Sequence, residues 1–306
     1  EGDDEIYGGD GNDTIYTSAG NDIYDGGDGI DTVITDYVNS PPTLGGNISL
    51  RNIENQFFIG ETNITIDRSA DPSSGDNHVK SESGDDRILL GVGDDTFELG
   101  SGKNYSGGGE GNDTIVLDGN GTFGSGFDAL NISSSLQTGT EERINLNGKT
   151  RFEDVMDGGA DVDTVELTDA SDVFFLHDSF SGFHSSLTLS DDYSGKSGTA
   201  RIENIENINA GGGDDIIDLT SPDYSLADQN ITVDGGEGND TLWGSDANET
   251  LKGGNGDDEL FGGAGINELI GGSGADEFQF TETSSNDTVS DFRISDGDTL
   301  TFFKTG

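Results

Sequence analysis

Carboxylates return along this chain at intervals of nine residues, each closing a short glycine-rich turn. The stretch "GGNGDDELFGGAGINELIGGSGADEFQ" (253–279) repeats Gly-Gly-x-Gly-x-(Asp/Asn)-x-apolar-x three times. Carboxylate oxygens at so regular a spacing, with no His or Cys among them, can do one kind of chemistry well: with backbone carbonyls they hold hard divalent cations. That ligand set suits calcium, because magnesium demands stricter octahedral geometry and more water.

The same phrase can be laid out over much of the chain. One block reads "GGDGNDTIY" (8–16), "TSAGNDIYD" (17–25) and "GGDGIDTVI" (26–34), with the tail of another copy at 1–7. A second block keeps register over five copies from "PSSGDNHVK" (72–80) to "GGEGNDTIV" (108–116). A third runs from "GGEGNDTLW" (235–243) to "GGSGADEFQ" (271–279), and single copies stand at 123–131, 158–166 and 210–218. The sixth position of these copies supplies the candidate metal ligands: Asp4, Asp13, Asp22, Asp31, Asp86, Asp95, Asp113, Asp128, Asp163, Asp215, Asp240, Asp258 and Asp276.

Each column has a structural task. Glycine at positions 1, 2 and 4 allows positive φ and close backbone approach, as a tight turn requires. Position 8 is apolar (Leu242, Leu251, Leu260, Leu269 and Phe278 in the third block), so positions 7–9 read as a short strand with its middle side chain turned inward. Two turns and two strands make a coil of 18 residues. Stacked coils give two parallel sheets with turns along both edges. Turn n then lies beside turn n+2, and their like-charged carboxylates approach at a cost that a cation between them removes.

Successive turns alternate edges, so the sixth column splits into two rows. In the third block one row is Asp240, Asp258 and Asp276, and the other is Glu249 and Asn267. In the second block Asn77, Asp95 and Asp113 share one edge, and Asp86 and Asn104 the other. The spacing predicts ions between the Asp240, Asp258 and Asp276 turns. The Glu249/Asn267 edge should be weaker or empty, since "GSDANETLK" also lacks glycine at positions 2 and 4.

Composition narrows the function classes. With 62 acidic against 13 basic residues, the formal charge is −49. A nucleic-acid binder needs a basic footprint, so that class is excluded, and adhesion to anionic lipid is disfavoured. Such charge opposes compaction unless cations neutralise it, and disorder is the alternative state for the ion-free chain. No apolar run approaches the ~20 residues of a membrane helix, so no membrane insertion is expected. There is no cysteine. The N-terminus is not a cleavable signal peptide and begins inside a repeat, as expected of a piece of a longer protein.

No catalytic constellation stands out. There is no His-Glu-x-x-His and no Gly-x-Ser-x-Gly among the 306 residues. "NGKT" (147–150) and "SGKS" (194–197) lack the earlier glycine of a phosphate-binding loop. His78 falls at position 7 and reads as an outward strand residue, and His177 and His184 lie in an irregular stretch. The chain is read as a non-enzyme.

The nonapeptide resembles the calcium-binding repeat of RTX (hemolysin-type) proteins, over three tandem blocks and the single copies. The resemblance implies an all-β fold, a right-handed parallel β-roll or β-solenoid, with several Ca2+ ions held by position-6 Asp and turn carbonyls. It also implies a fragment of a larger bacterial protein, secreted by type I machinery and extracellular, with a cell-surface location open. The segment "DTVSDFRISDGDTLTF" (287–302) resembles the stretch that comes after the last repeats in many members.

The chain divides accordingly into a first repeat block (1–34), irregular coils (35–71), a second block (72–131), irregular coils with the isolated repeats (132–234), a third block (235–279) and a C-terminal capping segment (280–306). Ile53, Ile144, Ile202, Ile205 and Ile208 are candidate inward residues of irregular coils without calcium; the alternative is inserted loops. The apolar stretch 173–189, with Phe174 and Phe175, is a cap or side layer, or else an exposed partner surface. Two functions fit this organisation: a structural module such as an adhesin stalk, surface layer or matrix filament, or the secretion and folding tail of an RTX enzyme or toxin. Self-assembly and a glycan or cell-surface partner stay open beside calcium itself.

Overall fold

A computed structural model describes residues 3–17, 22–36, 49–51, 53–59, 63–68, 75–102, 104–117, 128–130, 143–145, 150–151, 154–176, 200–220, 224–281 and 286–303. The described residues contain strands and turns and no helix. They fall into two compact units, 1–118 with 156–163, and 119–155 with 164–306. Each is a stack of short parallel strands in which neighbours are about one coil apart in sequence, which makes the chain an all-β parallel β-solenoid.

In the first unit one sheet orders Thr14–Tyr16, Thr32–Asp36, Asn55–Ile59, His78–Lys80, Thr96–Leu99 and Thr114–Leu117. The facing strands include Glu5–Asp10 beside Ile23–Asp28, then Thr65–Asp67, Arg87–Leu89 and Tyr105–Glu110. In the second unit one sheet orders Thr164–Glu166, Asn207–Asn209, Asn230–Glu237, Asn248–Asn255, Glu268–Ser273 and Thr288–Val289. The other orders Thr150–Arg151, Asp172–Phe175, Ile216–Asp218, Thr241–Trp243, Glu259–Phe261, Glu277–Thr281 and Thr299–Phe303. The segment after the third block thus adds a strand to each sheet of its unit.

The register is the one the repeat dictates. Leu242, Leu260 and Phe278 are Cα partners in succession, as are Val233, Leu251 and Leu269, and all six are buried. Sheets so close require turns without side chains. Gly254 has φ +112°, and a Cβ on it would collide with Gly236 O of the preceding coil. Only glycine satisfies both conditions at no cost.

The inward ladder of the first unit holds one surprise. Sequence reading assigned Ile53 to it, but the residue between Val33 and Val79 is Gln56. Ile53 is buried three residues earlier, in a cluster with Ile15, Tyr24 and Val33. Gln56 is fully buried, and neither its Oε1 nor its Nε2 finds a hydrogen-bond partner among the described residues. Leaving a buried amide unsatisfied costs roughly 1–3 kcal/mol. Gln56→Leu, of similar volume, is expected to raise the thermal midpoint of the calcium-loaded chain. A lowered midpoint would show that the amide is satisfied by internal water.

The irregular segments resolve differently. Ile208 takes a true ladder place between Val165 and Val233, Ile202 opens the short paired strand Ile202–Glu203, and Ile205 is buried outside any strand. Ile144 sits opposite Ala129 where Asp128–Leu130 pairs antiparallel with Arg143–Asn145, a departure from parallel stacking. The exposed-surface reading fails for Phe174 and Phe175. They are 0% and 1% exposed, with Phe174 paired to Ile217 in the ladder, so this strand is core. Residues 177–199, with His177 and His184, lie outside the described residues.

Candidate cation-binding turns

The sixth-position side chains form a hydrogen-bonded ladder along each edge. The backbone N–H of each such residue donates to the side-chain oxygen of its counterpart one coil later. In the second unit the ladder runs Asp172, Asp215, Asp240, Asp258, Asp276 and Asp298, over 2.7 to 3.3 Å. In the first it joins Asp13 to Asp31 and Asp31 to Glu54 on one edge, then Asn77, Asp95, Asp113 and Asp163, all at 2.7 to 2.8 Å. On the other edge Asp4 donates to Asp22 and Asp86 to Asn104. The step from Asp113 to Asp163 spans 50 residues, so the isolated copy at 158–166 stacks on the second block despite the insertion. Both row assignments hold. Of the sixth-position candidate Asp128 only the backbone is described: it opens the antiparallel strand, and residues 118–127 lie outside the described set.

The ladder uses one oxygen of each carboxylate and leaves the other. The second oxygens of Asp13, Asp31, Asp86, Asp95, Asp113 and Asp258 are buried without a hydrogen-bond partner among the described residues. Where the turn opens with glycine, that oxygen lies beside the first glycine. At Gly253 an added Cβ would collide with Asp258 Oδ2 and lie 2.6 Å from Gly271 O of the next coil. At Gly8 it would lie 2.6 Å from Asp13 Oδ2 and 2.5 Å from Gly26 O. At Gly108 it would collide with Asp113 Oδ2 and lie 2.5 Å from Gly158 O. Each of these glycines therefore keeps open a small space lined by a charged oxygen and a carbonyl oxygen.

Leaving a carboxylate there uncompensated is costly. Burial, and then the charges of Asp240 and Asp276, push Asp258 up to about 7, only partly offset by the Asp240 amide. Burial and the neighbouring Asp95, Asp163 and Asp94 push Asp113 up to about 8. Asp95 rises to about 6, chiefly through burial. A cation in the space would satisfy the orphaned oxygen and cancel the repulsion together. Oxygen donors alone, several of them carbonyls, fit calcium.

Other turns have closed the same space with their own atoms. Tyr24 Oη donates to Asp22 Oδ2 at 2.7 Å. Thr168 donates both its amide and its hydroxyl to Asp172 Oδ2, each at 2.8 Å. Asn104 Nδ2 donates to Gly100 O at 3.0 Å, and the Arg68 guanidinium bonds Ile53 O and Asn77 Oδ1. His78 has no part in this chemistry; its Nε2 meets Glu98 Oε1 at 2.7 Å on the outer face.

Sequence reasoning missed three parts of the site. Asp172 and Asp298 extend the aspartate row of the second unit although neither turn has the glycine pattern; for Asp298 the phrase Asp-Thr-Leu, shared with Asp240, was the available signal. Glu54 extends a row of the first unit. The third omission is the fifth column, a second ladder of opposite sense. There the side chain of one coil accepts from the fifth-position amide of the next, as in Asp76 to Asp94, Asp94 to Asn112, Asp214 to Asn239 and Asn239 to Asp257. Where the fifth residue is apolar, as at Ile30, Val162 and Ile266, it still donates backward to Asn12, Asn112 and Asn248. Reciprocal ladders explain why Asn-Asp and Asp-Asp close so many turns.

A stack of parallel coils with carboxylate-lined, glycine-gated spaces between turns defines a cation-binding β-solenoid. The family model of the RTX calcium-binding nonapeptide repeat matches four stretches of the chain, residues 1–33, 72–106, 232–260 and 252–278. No curated protein sequence matches the chain.

Proposed function

We propose that this chain is the calcium-dependent structural module of a secreted or cell-surface bacterial protein, an adhesin stalk, surface layer or matrix filament that becomes rigid when its turns fill with several Ca2+ ions. One observation carries the reading: buried second oxygens, such as that of Asp258, face a neighbouring carbonyl across a space only glycine keeps open. Bound calcium supplies positive charge that neutralises the row. The chain's own residues supply the rest, the aspartates as anionic donors and the turn glycines as room. A structural role, without catalysis, is favoured over the tail of an RTX enzyme or toxin because the repeats are dispersed from residue 1 to residue 278, whereas a tail would gather them in one array. Any partner, a glycan, a cell surface or another copy of the chain, would meet the outside of the coils, since their interiors are filled by side chains. Titration calorimetry with calcium and with magnesium tests the chemistry. Multi-site binding of calcium, with magnesium at least ten times weaker (about 1.4 kcal/mol per site), is expected. Equal affinity for both ions would sink the reading.

A further inference from the structure

The two edges of the second unit are built to different plans, and only one needs an ion. We infer that the edge carrying Ile231, Glu249, Asn267 and Asp287 is a cation-free seam, which keeps these coils stacked in register when calcium is withdrawn. The inference rests on the proposed calcium-binding function, in which the opposite edge, with Asp240, Asp258 and Asp276, takes the ions.

The seam begins with a side chain that cannot bind a cation. Ile231 is the Cα partner of Glu249 and is 1% exposed, so it contributes no oxygen. In the next turn Ser245 donates its amide to Glu249 Oε1 at 2.9 Å and its hydroxyl to the same oxygen, while the Ala247 amide donates to Ser245 Oγ at 3.0 Å. Side chain and backbone hold Oε1 in place of an ion; Oε2 is left beside Gly244, where an added Cβ would lie 3.1 Å from it and 2.5 Å from Gly262 O, a carbonyl that Asn267 Nδ2 already engages.

Asn267 closes the turn after it more completely. Its Oδ1 accepts the Glu249 amide at 2.9 Å, continuing the ladder. Its Nδ2 donates to Gly262 O at 2.9 Å, Ala264 O at 3.1 Å and Asp287 Oδ1 at 2.8 Å. In the Gly271–Asp276 turn the corresponding place beside the first glycine holds Asp276 Oδ2. The amide therefore sets a donor where the other edge sets a charged acceptor. It engages the carbonyls an ion would use and brings no negative charge. Two carboxylate oxygens, Glu249 Oε2 and Asp287 Oδ2, remain buried without a hydrogen bond among the described residues of this edge. They stand one coil to either side of Asn267, so neither faces a carboxylate across that turn, as Asp258 does on both sides.

Backbone pairing adds to the contrast. The strands Asn230–Glu237 and Asn248–Asn255 are eight residues each and run continuously from this edge into the next turn. On the sheet that starts at the aspartate edge, Thr241–Trp243 and Glu259–Phe261 are three residues each. Withdrawing calcium leaves the charges of the aspartate row uncompensated and opens it, while the seam and its long strands hold. Calcium then closes one edge of a stack already in register, with no search for strand pairing.

Hydrogen exchange on the full chain, in calcium and in chelator, tests this. In chelator the amides of Asp240 and Asp258 are expected to lose protection by at least about a hundredfold, while those of Glu249 and Thr288, the latter bonded to Asn267 O, keep most of theirs. Seam amides that exchange as fast as the aspartate-edge amides overturn the inference and leave the calcium reading intact. Protection that ignores calcium on both edges overturns both. Asn267→Asp supplies the second test, because it replaces the donor beside Gly262 and Ala264 with a carboxylate oxygen. The variant should fold in calcium but lose seam protection in chelator. Seam protection retained by Asn267→Asp in chelator would show that the amide is not what closes this edge.

Discussion

Chelating calcium is expected to remove most of the chain's strand signal in circular dichroism, and restoring calcium should return it. A ligand bound only by the folded state contributes about 2.7 kcal/mol per site at a hundredfold excess over Kd. A handful of such sites exceeds the ordinary ~5–15 kcal/mol net stability of a domain. Without ions the raised carboxylates work against the fold. Asp95, Asp113 and Asp258 hold protons more tightly folded than unfolded, with folded values of about 6, about 8 and about 7. Between the ordinary carboxylate range and those values the folded state binds more protons, so its stability falls as pH rises. In chelator, therefore, more structure should survive at about pH 5.5 than at about pH 8. In calcium, protons compete with the ion for the same oxygens, so the calcium midpoint should rise as pH falls. A strand signal indifferent to chelator at about pH 8 would end this account. A residue of signal from the seam of the third block is consistent with it.

Most of this architecture was legible because the repeat period is itself the geometry. Eighteen residues per coil places Asp240 under Asp258 and Leu242 under Leu260 whatever lies on the outside. The alternation of edges came from the same count, and with it the separation of Asp258 from Asn267. What was not legible lies where the period breaks. Gln56 occupies an inward place because the coil at 53–59 keeps the strand but not the turn, so counting from the isoleucine landed three residues early. Asp172 and Asp298 were invisible as ladder members because a turn can keep its sixth-position oxygen after losing its glycines, once Thr168 or the Arg293 amide supplies the hydrogen bonds. The fifth column reads as turn filler in the sequence because hydrogen bonds between coils leave no trace in one copy of a repeat. They appear only when copies are stacked.

Asp258→Ala should raise the calcium concentration needed for folding far more than Asn267→Ala. Asp258 takes part in two spaces: its Oδ1 accepts the Asp240 amide of the preceding turn, and its Oδ2 faces the Gly253 turn and Gly271 O of the next. Removing it strips charge from both and breaks the row between Asp240 and Asp276. The expected loss approaches that of two bound ions, roughly 5 kcal/mol at a hundredfold calcium excess. Asn267→Ala removes hydrogen bonds that need no ion: one from the Glu249 amide and those to Gly262 O, Ala264 O and Asp287. Its cost, roughly 1–3 kcal/mol for the groups left unsatisfied, falls on the calcium-free and calcium-loaded states alike. The two variants thus separate by where the loss appears. Asp258→Ala shifts the calcium midpoint and lowers the number of ions bound. Asn267→Ala lowers the thermal midpoint at saturating calcium with nearly the same stoichiometry. If both shift the calcium midpoint equally, the two edges are chemically alike, and the division of the turns into ion-bound and self-closed is wrong.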